Sequence, residues 1–490
     1  MTKIDRIRAT VVNAFFDEED KDRYVEKWED IVVAFGTDSD KIDDYLSVYL
    51  SIVDDEIETV GEASGELTNA FATQNIDTKV KARFDDLSVA RKFLEDAHDY
   101  VSYYEDITSG RIKHENLEDV KEVCEEILVR LNRLQTEQWH PLVLHLYRYA
   151  ATNGDKTSFQ ETLDTIEKLN LRRLLVGVNP NVFQTIFIEA VHEFQNAVDS
   201  ADVTDPYAQV RQYLIDEMES IAPEIFGERF LDTLTQQQSW NPSHTKLVFG
   251  KMANDWFRDN GYAVDRTLNM TNIHLEHIFP QSLVHESSNP VWLPKFFKIE
   301  EAKDEMATKI QQYLDILQTP DDQLTPEEKQ WQSSMESFIT NRFIEDIGNY
   351  LLLSDGDNIR ASNQPLSKKL PQYFNNEKDF TIIWPNNYFT RENPSLDEER
   401  LNALLDQAKA VDEGESDRID PEIVEYFDSF WTYEKMQKRR VGLLLNVVHT
   451  LSFDEVKDEF GLEEGRTTVE ERVRSQTKEE FRKRLSLRTV

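Results

Sequence analysis

Asn272-Ile273-His274-Leu275-Glu276-His277-Ile278-Phe279-Pro280-Gln281-Ser282 is the most informative stretch of this sequence, because two histidines enclose a carboxylate there. In a β-strand, His274 and Glu276 share one face and His277 lies on the other, unless a turn, twist or bulge intervenes. In a helix, His274 and His277 share a face, but Pro280 disfavours helical geometry just before it. The spacing is not His-Glu-x-x-His, so a zincin helix is poorly supported. On these residues alone, structural histidines are the commoner explanation.

A second stretch, Ile347-Gly348-Asn349-Tyr350-Leu351-Leu352-Leu353-Ser354-Asp355-Gly356-Asp357-Asn358-Ile359-Arg360, contains a short apolar run flanked by Asn349 and Asn358. Together the two stretches resemble the halves of an HNH (ββα-metal) nuclease motif. In that motif an acidic residue and a histidine end one strand, and a second strand and a helix return an asparagine to the same metal ion. More specifically, the two stretches resemble the C-terminal HNH domain of GmrSD-type modification-dependent restriction enzymes. It is specific over residues 267–375 and loose over residues 1–405.

The resemblance implies roles for the catalytic and metal-binding residues. His277 is the expected general base, since an imidazole titrates near neutrality. Glu276 and Asn358 are expected to supply oxygen ligands to one Mg²⁺ or Mn²⁺ ion. Asn349 belongs to the catalytic group and is expected to brace the loop that carries His277 rather than to touch the metal. His274 either orients a neighbour or adds a ligand.

The same resemblance implies a nucleic-acid surface and partners. Arg360, Lys368 and Lys369 are expected to contact DNA phosphates, although solvated surface groups are the commoner explanation for such residues. Asn363 is the substitute candidate for Asn358. The family usually begins with a ParB-like, NTP-using sensor domain, and this chain has no such segment and no P-loop. The sensor is therefore absent, encoded as a separate subunit, or cut away from this chain.

Length and composition predict a mainly α protein. The 490 residues include 15 glycines and 15 prolines, few for a turn-rich β fold, and one cysteine, Cys124, which excludes an intramolecular disulfide framework. Amphipathic periodicity predicts helices from Val120 to Leu134 and from Ser158 to Leu169, the second capped by Thr157 or Ser158. We expect three regions: a helical spacer or interaction domain (1–236), a small α+β HNH domain embedded among helices (237–405), and a charged linker with a helical extension and basic tail (406–490).

The net charge of −39 constrains the surroundings and the partners. A halophilic protein, whose surface charges are screened by molar salt, is the favoured interpretation. An ordinary acidic protein and a DNA-mimicking surface are the alternatives. Screening removes most of the penalty for approaching DNA, so the acidity does not exclude a nuclease. The tail from Arg466 to Val490 carries eight basic and four acidic residues, and is either a phosphate-contacting arm or, more commonly, a helix packed on its neighbours.

The resemblance implies a metal-dependent DNA endonuclease or nickase, and we expect it to be cytoplasmic and without membrane association. The most apolar stretch, Val441 to Val448, is too short for a bilayer span. We expect the nuclease subunit of a prokaryotic anti-phage or restriction system. Two alternatives stay open: a non-catalytic scaffold subunit with a degenerate HNH region, and an HNH-like RNA-cleaving toxin.

Overall fold

The computed structural model of the protein describes residues 19, 21–36, 38–53, 57, 60, 62, 87–134, 136–260, 273–280, 292–299, 305–354, 364–374, 396–453, 455–456, 460 and 466–485. Over these residues the chain is mainly helical with a two-stranded antiparallel sheet among the helices, which confirms the predicted fold class. By its contacts the chain forms two compact units, Met1–Arg173 with Gly177–Ile225, and Leu174–Val176 with Phe226–Val490. The segment 406–490, which the sequence sets apart, falls within the second unit.

The first unit is built from amphipathic helices around an aromatic core. Trp28 and Trp139 are completely buried, and Arg130 and Glu167 form a buried ion pair. The helices with residues in this unit are α1 (Lys21–Ala34), α2 (Ser39–Val53), α3 (Leu87–Ser109), α4 (Lys121–Asn132), α5 (His140–Asn153), α6 (Lys156–Val176), α7 (Gln184–Asp199) and α8 (Pro206–Ile221).

Two predicted helices can be compared with α4 and α6. The first matches α4 together with the 3₁₀ turn Glu115–Val120 that precedes it. The second begins before its predicted caps, because α6 starts at Lys156 with Asp155 in the N-cap position. The left-handed residue Gly154, at φ 80°, ends α5, so the next helix begins after a single residue. The predicted caps, Thr157 and Ser158, therefore lie inside α6.

The second unit surrounds the sheet with helices. Its elements are α9 (Gly227–Gln236), α10 (Pro242–Asp259), β1 (Ile273–His277), α11 (Trp292–Phe297), α12 (Glu305–Leu317), α13 (Pro326–Ile339), β2 (Tyr350–Ser354), α14 (Leu366–Tyr373), α15 (Glu398–Asp412), α16 (Pro421–Asp428), α17 (Tyr433–Thr450) and α18 (Arg466–Leu485). A π-helical turn, Thr340–Ile344, follows α13, and a 3₁₀ turn, Ile347–Asn349, leads into β2.

The core of this unit joins α14 to the sheet. Leu351 and Leu353 of β2 share one apolar cluster with Leu366 and Leu370 of α14. The first turn of α14 receives a cap from a distant helix, since the Ser367 N–H donates to Asp428 Oδ1 at 3.0 Å. The sequence order strand, strand, helix is therefore also a packed unit, and it fixes the helix face that carries Lys369.

The C-terminal part of the chain can be compared with the predicted charged linker, helical extension and basic tail. Helix α15 continues to Asp412, so only residues 413–420 separate it from α16. Helix α18 packs against α9 and α17. Its Arg472 pairs with Glu228 at 2.6 Å and with Asp232 at 2.9 Å, and its Arg484 is completely buried. The described part of the basic tail, Arg466–Leu485, thus forms a helix packed on its neighbours, the commoner of the two alternatives expected from the sequence.

Candidate functional site

The β1–β2 pair joins the two informative stretches of the sequence. In the antiparallel register, His274 pairs with Leu353, Glu276 with Leu351, and His277 with Tyr350. Because side chains alternate along a strand, His274 and Glu276 lie on one face of the sheet and His277 on the other. The alternation expected for a strand is therefore present, and Glu276 and His277 contact different parts of the unit.

Asn349 fastens the end of β1. Its Oδ1 accepts from the Phe279 N–H at 2.7 Å and from Trp431 Nε1 at 3.3 Å, and its Nδ2 donates to the carbonyls of Phe279 and Ile344, both at 3.0 Å. The main-chain carbonyl of Asn349 also accepts from the Ile278 N–H at 2.9 Å. Asn349 is completely buried, so it acts on the segment after His277 by positioning it.

Asn349 is itself held by a buried charge network. Asp346 Oδ1 accepts from the Gly348 N–H at 2.7 Å, while its Oδ2 accepts from Arg440 and, at 2.6 Å, from Arg484. Arg439 donates to the Gly348 carbonyl at 2.8 Å. Burial lowers the pKa of Arg440 to about 10, which leaves it charged at neutral pH. The turn before β2 is thus pinned by guanidinium groups from α17 and α18.

Position 348 accepts only glycine without rearrangement. A Cβ atom there would lie 2.5 Å from the carbonyl oxygen of Met436 in α17, a backbone atom that cannot swing aside. The close approach of α17 to this turn brings the guanidinium of Arg439 within reach of the Gly348 carbonyl. The Gly348-Asn349 pair therefore meets two requirements. Position 348 has no room for a side chain, and position 349 needs a side chain that both donates and accepts hydrogen bonds.

Glu276 lies in a buried polar cluster under α14. Its Oε1 accepts from Lys369 Nζ at 2.6 Å and from the Tyr373 hydroxyl at 3.0 Å, and Lys369 also donates to the His277 carbonyl at 2.6 Å. Lys369 is 1% exposed. Burial and the neighbouring Glu276 carboxylate raise the pKa of Tyr373, which keeps the hydroxyl protonated as a donor. Contrary to the expected phosphate contact, the ammonium of Lys369 is enclosed with Glu276 and is not presented at the surface.

His277 faces a carboxylate that the sequence did not single out. Its Nε2 is buried and lies 3.6 Å from Glu345 Oε1, and its ring packs edge-on against Tyr350, with ring centroids 5.0 Å apart. The Tyr350 hydroxyl lies between the Glu345 carboxylate and, at 2.9 Å, the Trp240 carbonyl. Burial raises the pKa of Glu345, but the contacts with His277 and Tyr350 outweigh burial and hold it below the ordinary value.

Of the other predicted residues, two are described, and both have exposed side chains. His274 is exposed at the far end of β1, and Lys368 is exposed on α14, where it stays a candidate for phosphate contact. Asn358, Asn363 and Arg360 lie outside the described residues. The structure therefore brings Glu276, His277 and Asn349 together in one cluster around the end of β1.

The described residues do not by themselves form a cation site. Among them no group of three His, Cys, Asp or Glu side chains could hold a metal ion. Glu276 has the right chemistry for a hard cation, but one of its oxygens is shared by Lys369 and Tyr373. Lys369 would have to move or share that carboxylate for Mg²⁺ or Mn²⁺ to bind it.

Sequence reasoning missed the residues that surround the cluster of Glu276, His277 and Asn349. They are Glu345, Tyr350, Trp240, Tyr373, Asp346, Arg440 and Arg484. Tyr350 lies within the second stretch and Glu345 two residues before it. A carboxylate close to an asparagine-flanked apolar run was the signal that could have identified Glu345. The other contacts join positions far apart in sequence, and the chain carries no local pattern for them.

The chain matches no protein-family model, and no curated protein matches it. Among the helices of the described segments, none is long and apolar enough to cross a membrane.

Proposed function

We propose that the chain is an HNH-type, metal-dependent DNA endonuclease or nickase. One observation carries the proposal: the Asn349 side chain binds both polar groups of the Phe279 backbone, 70 residues away. A buried carboxamide that closes a strand ending in Glu276-His277 is what an HNH-like ββα unit requires. The proposal includes a role as the nuclease subunit of a prokaryotic anti-phage or restriction system, and a cytoplasmic location.

His277 is the proposed general base. Its ring lies at the end of β1, where Nε2 faces the Glu345 carboxylate and the ring packs edge-on against Tyr350. In phosphodiester hydrolysis the imidazole takes a proton from the attacking water while the new P–O bond forms and the bond to the leaving oxygen breaks. The need for Mg²⁺ or Mn²⁺ is part of the proposal, and so is binding to a separately encoded ParB-like sensor subunit.

A second function is favoured by one specific contact. The Lys369 ammonium neutralises Glu276, the carboxylate expected to bind metal. In a non-catalytic scaffold subunit with a degenerate HNH region, this ion pair would stabilise the fold and no metal ion would be needed. The two proposals therefore differ in whether Glu276 serves chemistry or only stability.

Nicking of supercoiled plasmid separates the two. The complete chain is incubated with plasmid DNA, with and without Mg²⁺, at low and at molar salt. We expect nicking that needs Mg²⁺, that His277→Ala abolishes and that His449→Ala retains. The His449→Ala variant is the matched control, since that histidine is exposed on α17 and has no part in the proposed site.

Other outcomes decide against the nuclease. If neither DNA nor RNA is cut under any of these conditions and the chain is folded, the scaffold is supported. If RNA alone is cut, the toxin is supported. Co-purification with the neighbouring gene product tests the sensor subunit, and a lone monomer in that experiment contradicts it.

A further inference from the structure

The surroundings of His277 distinguish its two ring nitrogens. Within the part of the chain that the structure describes, Nε2 is buried without a hydrogen-bond partner and faces Glu345 Oε1 at 3.6 Å. Nδ1, in contrast, is not a buried atom without a partner. A neutral imidazole carries one proton, and the neighbour of each nitrogen decides which nitrogen holds it. A carboxylate only accepts, so it favours a proton on the nitrogen that faces it.

Glu345 is well placed to impose such a choice because its own position is fixed. The Tyr350 hydroxyl contacts one carboxylate oxygen and leaves the other directed at His277. The Glu345 main-chain carbonyl accepts from the Trp240 N–H at 2.7 Å. Burial and the Glu345 carboxylate raise the pKa of Tyr350, so its hydroxyl remains a donor to the carboxylate.

We propose that Glu345 is a positioning residue that holds His277 as the Nε2–H tautomer and leaves Nδ1 as the nitrogen that accepts a proton. The reaction role of this tautomer rests on the proposed nuclease function, whereas the tautomer itself does not. The carboxylate acts through the imidazole and touches neither water nor substrate. The arrangement follows the general logic of a carboxylate that orients a catalytic histidine.

The tautomer can be measured directly. Long-range proton–nitrogen correlation spectra of the full chain, labelled with ¹⁵N-histidine, report which ring nitrogen carries the proton. The His277 signal is assigned by its loss in His277→Gln. In the unmodified chain at mildly alkaline pH we expect a protonated Nε2 and an unprotonated Nδ1. In Glu345→Leu we expect the Nδ1–H form to become populated.

Two further variants keep the test decisive. Glu345→Gln has nearly the same shape and serves if the leucine variant does not fold; its carboxamide both donates and accepts, so we expect a mixture of tautomers. Glu336→Gln is the matched control. Glu336 accepts from the Tyr313 hydroxyl at 3.1 Å, a similar Glu–Tyr contact elsewhere in the unit, and this variant should leave the His277 signals unchanged.

Activity provides the second measurement. We expect kcat for plasmid nicking to fall on the order of 10²-fold in Glu345→Gln, with KM nearly unchanged, because the loss concerns proton transfer and not DNA binding. An Nδ1–H tautomer in the unmodified chain, or His277 signals unaltered in a folded Glu345→Leu variant, overturns the inference. A chain with the expected tautomer and no nicking contradicts the proposed function alone.

Discussion

Lys369 and Glu276 form a buried ion pair, with Nζ and Oε1 2.6 Å apart, between residues 93 positions apart in the sequence. The pair joins α14 to β1 and also fixes the backbone at His277, since the same ammonium donates to the His277 carbonyl. One lysine therefore serves both the fold and the geometry of the proposed site. Its partner is the residue expected to bind metal, so this pair is where stability and function compete.

Removal of Lys369 should be strongly destabilising. Lys369→Met leaves the Glu276 carboxylate buried without its cation, and we expect a loss of about 3–5 kcal/mol in the free energy of unfolding. Urea unfolding followed by circular dichroism measures it. Lys368→Met, on the same helix but exposed, should change stability by no more than about 0.5 kcal/mol.

A double variant separates the ion pair from the packing of the lysine side chain. Glu276→Gln in the Lys369→Met background removes the buried charge, and we expect most of the lost stability to return. Equal unfolding midpoints for Lys368→Met and Lys369→Met would contradict the buried pair.

Asn349→Ala should loosen the end of β1. The change removes two accepted and two donated hydrogen bonds, and it leaves the Phe279 N–H and carbonyl without the Asn349 side chain in the core, at a cost of about 2–5 kcal/mol. We expect faster amide hydrogen exchange in residues 273–280, measured by mass spectrometry. Asn341→Ala, at an exposed asparagine, is the control. Unchanged protection in a folded Asn349→Ala variant would rule out the clamp.

Arg484 and Arg482 offer a matched comparison on α18. Arg484→Met removes one of the two guanidinium partners of Asp346, both completely buried, and we expect a loss of about 3–5 kcal/mol in the second unit. Arg482→Met is exposed and should be nearly neutral. Chemical denaturation of both variants measures the difference. Similar stabilities would show that α18 does not support the turn before β2.

His140 should make the first unit sensitive to acid. Burial lowers its pKa to about 3 from an ordinary value of 6.5, so between these values the unfolded chain binds a proton that the folded chain does not. Its contribution to stability is therefore complete above the unfolded pKa and decreases as the pH falls, by about 1.4 kcal/mol per unit. Urea unfolding at about pH 8 and about pH 5 measures this slope.

The variant His140→Phe isolates this effect. It keeps an aromatic ring beside Trp139 and Tyr104 and removes the titrating group. We expect the variant to lose about 2 kcal/mol less than the unmodified chain between about pH 8 and about pH 5. Identical pH slopes for the two proteins would refute the assignment of acid sensitivity to His140.

The helical architecture could be predicted because its signals are local. The apolar periodicity from Val120 to Leu134 acts over a few residues, and the structure has a 3₁₀ turn and helix α4 there. The start of α6 was misplaced because hydroxyl residues are common caps, while tight closure of the preceding turn left only Asp155 for that position.

The candidate site could be predicted only in part. Short-range alternation separated Glu276 from His277, and residue type and spacing marked Asn349. The pairing of Glu276 with Lys369 could not be predicted, because nothing in the local sequence distinguishes the buried Lys369 from its exposed neighbour Lys368. Arg484 reaches the site through folding alone and has no local signal, whereas Glu345 lies only four residues before Asn349 in the sequence.

The link between Asp346 and Arg484 also orders events in time. The guanidinium that completes the Asp346 network belongs to a residue translated 138 positions later. While the ribosome is still making α18, the turn that carries Asn349 lacks one of its anchors. A nascent or C-terminally clipped chain would therefore lack one of the two charges that hold the turn before β2.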